Sequence, residues 1–309
     1  MSGARELTLD LPHLRLAARA WGEPSLPPLL ALHGWLDNAA SFDRLAPLLC
    51  EHFHIVALDL PGHGRSGHRP AGTWYHYVDY LGDVLAAADA LGWQRFGLLG
   101  HSLGGAVASV LAAACPERVE RLLLIEALGP LAGDAGQALG QLQRALAQRG
   151  ALQEKTLRVF ADVAAAERAR ILANDLSADA ARILVARGVR MVEGGFVWSS
   201  DPRLTLASPM RYSEAQILVL LDGIRAPTLL VLAQPAPAFL EEGMINARIA
   251  RVTGIEVVRM PGHHHLHLED PAPVATAILA SVAARRNDRA ADADSSDRRR
   301  QEPECRDAD

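Results

Sequence analysis

Short apolar runs alternate with amphipathic stretches over roughly the first 129 residues of the chain. Leu7–Leu11 and Leu14–Ala20 predict a strand pair, and several later apolar runs end in glycine-containing turns. Continuously apolar strands that alternate with helices are typical of a parallel sheet covered on both faces. The further predicted strands are Leu29–Leu32, Ile55–Leu58, Phe96–Leu99 and Leu122–Ile125, and the predicted helices are Tyr77–Leu91, interrupted by Gly82, and Gly104–Ala114.

The strand pattern stops at about Pro130 and returns only after Leu221. Helix formers dominate between these points, with a loop around Gly194-Gly195, and such an insertion into one sheet indicates a lid over an active site. We expect an α/β core at 1–129 and 222–285, a helical lid at 130–221 and a charged, disordered tail at 286–309. The remaining predicted elements are helices at Ala138–Gln148, Glu154–Ala169, Asp179–Ala186 and Phe239–Val252, a final helix from Pro271, and strands at Pro227–Ala233 and Gly254–Met260.

The composition fits one large globular domain, although 309 residues would also allow two. Half of the residues are hydrophobic, and the net charge of −5 gives no support to nucleic-acid binding. The arginines at 298–300 lie among acidic residues and indicate solvated surface, and three separated cysteines suggest no disulfide framework. Without a signal-peptide pattern or an apolar run of about 18 residues, we expect a cytoplasmic protein with no membrane span.

The strongest candidate for chemistry is Gly100-His101-Ser102-Leu103-Gly104, which has the pattern G-x-S-x-G. It lies between a predicted strand and a predicted helix, where a sharp turn presents the serine hydroxyl above the sheet. Small flanking residues allow the backbone to approach closely. The first N–H groups of the helix have no partner within it and can stabilise an oxyanion. A glycine-rich junction with an incidental serine is the alternative.

From about Leu29 to Pro271 the chain resembles the α/β-hydrolases, and within them the serine hydrolase-like proteins. The resemblance implies an α/β-hydrolase fold, in which a mostly parallel sheet is flanked by helices and interrupted by a helical lid. One of the matching motifs, Asp59–Ser66, is expected to be a structural turn without direct chemistry. The other motifs are Leu32–Asn38, Gly100–Gly104 and Gly262–Pro271. The narrower group is supported by Trp35–Asn38 and by Ser200–Leu204 in the lid.

The base is expected among four histidines that follow the last predicted strand. The family pattern has a glycine, one residue, the catalytic histidine, often a second histidine, and then an acidic residue and proline. Aligning Pro271 makes His264 the base and His267 its companion, with His263 and His265 flanking the base. Imidazole suits this role because its ordinary pKa, about 6.5, lets it accept and return a proton near neutrality. A metal-binding histidine cluster is the alternative, although no carboxylate or cysteine ligands accompany it at matching spacing.

The same resemblance assigns the oxyanion hole to the backbone N–H groups of Trp35 and Leu103. It also implies that the Trp35 indole lines the mouth of the substrate pocket, where His33 and His101 are the other predicted lining residues. The alternative for His33 and Trp35 is simple packing, because both end a predicted strand.

The orienting acid of this family normally follows the first strand after the lid. Here that strand leads into Gln234-Pro235-Ala236-Pro237, which contains neither Asp nor Glu. Glu126 is the predicted substitute, because it ends the strand after the nucleophile helix, where some α/β-hydrolases carry their acid. A buried glutamate after four apolar residues needs a partner, and the chain order nucleophile, acid, base agrees with the superfamily. Glu241 and Glu242 are the other candidates, and Glu126 could also be a solvent-facing strand end.

A serine in this turn points to acyl transfer, in which the serine attacks an ester-like carbonyl and water then hydrolyses the acyl-enzyme. Carboxylic ester hydrolysis is the expected reaction, with thioesters, lactones and carbon–carbon bonds next to ketones left open. The expected partner is a small-molecule substrate, with no nucleic acid, membrane, metal or cofactor, and the oligomeric state is left open. A non-catalytic binding protein on the same fold is the alternative from another class, favoured by the missing acid after the lid.

Overall fold

An eight-stranded sheet forms the centre of the protein in a computed structural model that describes residues 3–152, 158–237 and 240–284. The predicted tail at 286–309 lies outside the described residues. The strands are β1 (Arg5–Asp10), β2 (Arg15–Trp21), β3 (Pro28–Leu32), β4 (His54–Leu58), β5 (Phe96–His101), β6 (Val119–Ile125), β7 (Val189–Val192), β8 (Gly195–Trp198), β9 (Thr228–Gln234) and β10 (Glu256–Pro261).

The strand order in the large sheet is β1-β2-β4-β3-β5-β6-β9-β10, and β7 and β8 form a separate two-stranded sheet. The pairs β1–β2 and β2–β4 are antiparallel, whereas every later pair in the large sheet is parallel. The predicted α/β fold with a mostly parallel sheet is therefore confirmed. Because the carboxyl ends of parallel strands meet at one edge, the segments that follow β3, β5, β6 and β10 are brought together there.

Helices cover both faces of the sheet, and within the described residues none is long and apolar enough to cross a membrane. Several begin at side-chain caps, among them Asp162, Ser177 and the capping box of Ser213 with Gln216. The helices are α1 (Ala46–Leu49), α2 (Asp79–Ala90), α3 (Leu103–Ala114), α4 (Ala138–Ala151), α5 (Val163–Asn174), α6 (Ala178–Gly188), α7 (Glu214–Leu221), α8 (Glu242–Ile249) and α9 (Leu266–Glu269), and residues 271–284 are also helical.

Two hydrophobic cores lie on opposite faces of the sheet, because successive side chains of a strand point in opposite directions. Leu30 of β3 joins the core that contains Val107 of α3, whereas its neighbour Leu29 joins the core that contains Ile278. Every residue of β4 and β5 is buried. This burial on both faces explains why the central strands are continuously apolar in the sequence.

Residues 130–221, called the inserted segment below, contain helices α4–α7 and the β7–β8 hairpin. The loop predicted around Gly194-Gly195 is wrong in part, because the two glycines belong to a β-hairpin. Gly194 lies in its turn with φ of +84°, and Gly195 is the first residue of β8 with φ of +145°. The helix predicted at Glu154–Ala169 is also misplaced. Its first residues, 154–157, lie outside the described residues, and α5 begins after the Asp162 cap and ends at Asn174, five residues beyond the predicted end. A covering role for the inserted segment stays a prediction.

Candidate active site

Ser102 lies in a tight turn between the end of β5 and the start of α3. Its backbone has φ of +51°, which is an unfavourable conformation for any residue with a side chain. The glycines on either side permit this turn. A Cβ on Gly100 would lie 2.5 Å from the carbonyl oxygen of Gly104, and a Cβ on Gly104 would lie 2.0 Å from the carbonyl oxygen of Leu32. The G-x-S-x-G pattern therefore reflects how closely the nucleophile turn packs against β3.

Glu126 follows the last residue of the neighbouring strand β6 and is fully buried. Its Oε1 accepts a hydrogen bond of 2.5 Å from the backbone N–H of Ala233, near the end of β9. Its Oε2 lies 3.2 Å from Nδ1 of His264. The carboxylate thus extends from β6 to the end of β9, which is the position where the family resemblance implied an acid. Glu241 and Glu242, the other sequence candidates, are exposed at the start of α8.

His264 lies in residues 262–267, called the base segment below, which follow β10 and include the first two residues of α9. Of the four histidines in this segment, His263 is exposed and His264 keeps 23% of its side chain exposed. His265 and His267 are buried in the interior, where they contact other polar groups. His264 is thus the histidine that combines contact with the Glu126 carboxylate and access to solvent.

A buried carboxylate that the sequence reasoning did not single out, Asp37, lies beneath the base segment. Its Oδ2 accepts a hydrogen bond of 3.2 Å from Nε2 of His265, and its Oδ1 binds the guanidinium of Arg170 from α5. Burial by itself raises the pKa of Asp37, but His265 and Arg170 outweigh it and hold the pKa well below its usual range. Ser41 Oγ similarly lies 2.8 Å from Nε2 of His267, and burial lowers the pKa of that histidine to about 3.

Asp37, His101 and His265 form a group of buried side chains that could in principle hold a metal ion, with ligand atoms within 4.8 Å of one another. Both oxygens of Asp37 already have protein partners, Arg170 and His265. A buried carboxylate paired in this way has its charge balanced without an ion. We therefore interpret Asp37 and His265 as a hydrogen-bonded pair against which His101 packs.

The side chains predicted to line the pocket divide into one exposed and two buried residues. Trp35 is 51% exposed, and its indole Nε1 donates a hydrogen bond of 3.0 Å to the carbonyl oxygen of Leu204 in the inserted segment. His33 is fully buried, its Nε2 accepts from the N–H of Leu60, and its Nδ1 donates to the carbonyl oxygen of Gly34. Burial lowers the pKa of His33 to about 4. His33 thus holds two loops together, and its fully buried side chain does not line an open pocket as predicted.

His101 is also fully buried, behind the nucleophile turn, so its side chain does not line an open pocket as predicted. Its Nε2 donates a hydrogen bond of 2.8 Å to the main-chain oxygen of His264. Leu103 opens α3, whose first N–H groups have no partner within the helix. The assignment of the oxyanion hole to Trp35 and Leu103 stays a prediction.

Buried polar contacts fix the inserted segment to the loops beside the site. Arg187 of α6 binds both oxygens of Asp59 at 3.0 and 2.9 Å and both oxygens of Glu6 at 2.8 and 2.7 Å. Asn38, just after β3, donates from Nδ2 to the carbonyl oxygen of Leu184 at 2.8 Å. Removing one member of a buried ion pair leaves an uncompensated charge and is strongly destabilising. Helix α6 is therefore anchored to the core, and Asp59 has the structural role expected of its motif.

The arrangement brings a serine in a strained turn, a buried carboxylate and a partly exposed imidazole to one edge of a mostly parallel sheet. The chain belongs to the α/β-hydrolase family: the family model described as alpha/beta hydrolase fold matches residues 27–270. This membership and the similarities below support a hydrolase, and the resemblance to serine hydrolase-like proteins is confirmed.

Similar proteins include a serine hydrolase-like protein from Danio rerio, which is 34% identical over 284 residues, or 89% of this chain and 87% of that protein. Among solved structures, the hypothetical protein PA1622 from Pseudomonas aeruginosa PAO1 is 44% identical with a TM-score of 0.84, covering 92% of this chain and 99% of the other. The thioesterase domain from the curacin biosynthetic pathway is 28% identical with a TM-score of 0.81, covering 90% of this chain and all of that domain.

Proposed function

We propose that this protein hydrolyses small carboxylic esters through an acyl-enzyme formed on Ser102. The observation that carries the proposal is the 3.2 Å contact between the buried Glu126 carboxylate and Nδ1 of His264. A carboxylate in this position fixes the ring with its proton on Nδ1 and stabilises the imidazolium once Nε2 has accepted a second proton. The strained turn that carries Ser102 supports the same assignment, because strain of this kind is concentrated at functional sites.

In the proposed mechanism, Nε2 of His264 takes the hydroxyl proton as Ser102 Oγ bonds to the carbonyl carbon of the ester. The carbonyl oxygen becomes an oxyanion, for which the N–H groups of Trp35 and Leu103 are the proposed donors. Collapse of this intermediate breaks the bond to the leaving alcohol, which receives the proton from His264. Water then attacks the acyl-enzyme with the same proton transfers, and the carboxylic acid is released.

Substrate choice is the finer part of the proposal. The curacin domain is described as a thioesterase, and its similarity to this chain supports thioesters as a second substrate class. The proposed mechanism serves both classes, since only the leaving group differs. We assign the selection of substrate to the inserted segment, whose Leu204 carbonyl accepts a hydrogen bond from the Trp35 indole.

A non-catalytic binding protein was the alternative from the sequence, and it depended on the missing acid after β9. Glu126 approaches that position from β6, where its Oε1 accepts from the N–H of Ala233. The contact between Glu126 and His264 therefore supports the catalytic proposal over the alternative.

Substitution of the nucleophile tests the proposal. Wild-type protein should react with a fluorophosphonate probe and hydrolyse p-nitrophenyl butyrate, and Ser102→Ala should remove labelling and lower kcat by roughly 10⁴–10⁶-fold. Ser25→Ala, at an exposed serine between β2 and β3, is the matched control and should behave as wild type. A folded Ser102→Ala protein with near-normal turnover would overturn the proposal. A wild-type protein inert toward the probe and toward ester and thioester panels would favour the binding-protein alternative.

A further inference from the structure

His101, the last residue of β5, is surrounded by the segments that carry the candidate catalytic groups. Its ring centroid lies 4.7 Å from that of His264, 5.0 Å from that of His265 and 4.1 Å from that of His267. The loop after β3 closes on the same ring, since a Cβ on Gly34 would lie 2.9 Å from His101 Nδ1. The base segment and the β3 loop therefore both pack against this one buried side chain.

The hydrogen bond of His101 determines which of its nitrogens carries the proton. A carbonyl oxygen can only accept, so the 2.8 Å contact with the main-chain oxygen of His264 requires a proton on His101 Nε2. Nδ1 faces Asp37 Oδ2 at 3.7 Å and has no hydrogen-bond partner among the described residues. Burial, reinforced by the neighbouring histidines, holds the pKa of His101 well below its usual value, so the ring is neutral.

We propose that His101 is a positioning residue whose Nε2–H sets the distance between the backbone of His264 and the adjoining Ser102. This inference rests on the proposed function of those two residues. Because Ser102 directly follows His101 in the chain, the hydrogen bond links the nucleophile turn to the base segment. Glu126 orients the imidazole of His264, whereas His101 fixes the main chain from which that imidazole extends. A displacement of about 1 Å between reacting groups can lower a rate roughly 100-fold, so the bond has a measurable consequence.

Glutamine and asparagine at position 101 make a matched pair of neutral, polar replacements. The glutamine amide nitrogen can occupy the place of Nε2 and donate to the His264 carbonyl, whereas the asparagine amide nitrogen takes the place of Nδ1 and faces Asp37. We expect His101→Gln to keep kcat for p-nitrophenyl butyrate within about threefold of wild type. His101→Asn should lower kcat by roughly 10–100-fold while KM stays within about twofold. The rate of fluorophosphonate labelling at Ser102 should follow kcat, and thermal unfolding reports on the fold.

His101→Leu is a second variant without the donor and should lose turnover as His101→Asn does. Equal turnover in the Gln and Asn variants, or a larger loss in Gln, would overturn the inference while labelling of wild type leaves the proposed function intact. Failure of both donor-free variants to fold, beside a folded Gln variant, would also overturn it, because the bond would then support the whole domain. A wild-type protein with no labelling and no turnover would overturn both proposals, since Ser102 and His264 would have no reaction to align.

Discussion

Glu126→Gln is a sharp test of the candidate acid because the surrounding protein dictates how the new amide must lie. Glu126 is fully buried, and its two oxygens have different partners. Oε1 accepts from the backbone N–H of Ala233, and Oε2 faces Nδ1 of His264. Glutamine has only one oxygen, and the N–H of Ala233 can only donate. The amide oxygen must therefore replace Oε1, and the NH₂ group must face His264.

This orientation predicts the size of the effect. The reverse orientation would place the NH₂ group against the N–H of Ala233 and leave a buried donor without an acceptor. Such a donor costs about 1–3 kcal/mol, so the orientation with the amide oxygen on Ala233 is favoured by roughly 5–150-fold. In the first orientation the amide donates to Nδ1 of His264, so the ring proton moves to Nε2, which can no longer accept the proton of Ser102. We expect kcat to fall by roughly 10³–10⁴-fold with KM within about threefold, as for a triad held in the wrong tautomer.

The assay is steady-state hydrolysis of p-nitrophenyl butyrate, with the rate of fluorophosphonate labelling as an independent measure of nucleophile reactivity. Glu242→Gln is the matched control, because Glu242 is exposed at the start of α8, and its kcat should stay within about twofold of wild type. A Glu126→Gln protein that melts as wild type does and keeps kcat within about tenfold would refute the assignment of Glu126 as the acid.

Three further predictions concern stability. Burial lowers the pKa of His33 to about 4 and that of His267 to about 3, so between pH 6.5 and 5 the unfolded chain binds protons that the folded protein does not. Urea unfolding should show a loss of about 2 kcal/mol per such histidine by pH 5. His265→Ala removes a partner of a buried carboxylate and should cost about 1–3 kcal/mol in urea unfolding, against less than about 0.5 for the exposed His263→Ala. Ser102→Gly should exceed Ser102→Ala in unfolding free energy by about 1 kcal/mol, because glycine adopts φ of +51° without strain.

Each of these predictions has a contrary outcome. A free energy of unfolding that does not change from pH 7 to pH 5 would contradict the neutral state of the buried histidines. Equal stabilities of the His263 and His265 variants would mean that the hydrogen bond to Asp37 contributes nothing. A glycine at position 102 that is no more stabilising than alanine would mean that the turn is unstrained.

Strands were more predictable from the sequence than helix boundaries, for a physical reason. The apolar run at Leu29–Leu32 lies buried on both faces of the sheet, so its hydrophobicity and its secondary structure have the same cause. Helix formers dominate the range Glu154–Ala169, so composition does not mark a boundary within it. The side chain of Asp162, which accepts from the N–H of Ala165, caps α5 at its start. Gly82 does not interrupt α2 as predicted, because a glycine inside a helix costs only about 1 kcal/mol relative to alanine and the packing of buried residues such as Val84 outweighs that cost.

The residues of the candidate site were likewise predictable only where a local sequence pattern marks them. Ser102, Glu126 and His264 each carry a local signal: a turn motif, an isolated acid after an apolar strand and a spacing to Pro271. Asp37 belongs to the Leu32–Asn38 motif, but the motif gives no sign of its partners, since Arg170 lies 133 residues away in the sequence and His265 lies 228 residues away. The burial of His101 is likewise a result of how distant segments pack, which is why the sequence reasoning assigned it to a pocket.

The position of Glu126 at the end of β6 also bears on how the site is assembled during folding. Glu126 is 24 residues from Ser102, and both belong to one strand–helix–strand unit, β5–α3–β6, that is complete before the inserted segment begins. An acid in the turn after β9, at position 234, would be 132 residues from Ser102 along the chain. Closing the longer loop would cost about 1.5 kcal/mol more in chain entropy. Ser102 and Glu126 are therefore close in the sequence and belong to one strand–helix–strand unit. Of the three candidate catalytic residues, only His264 joins the site from a distant part of the chain.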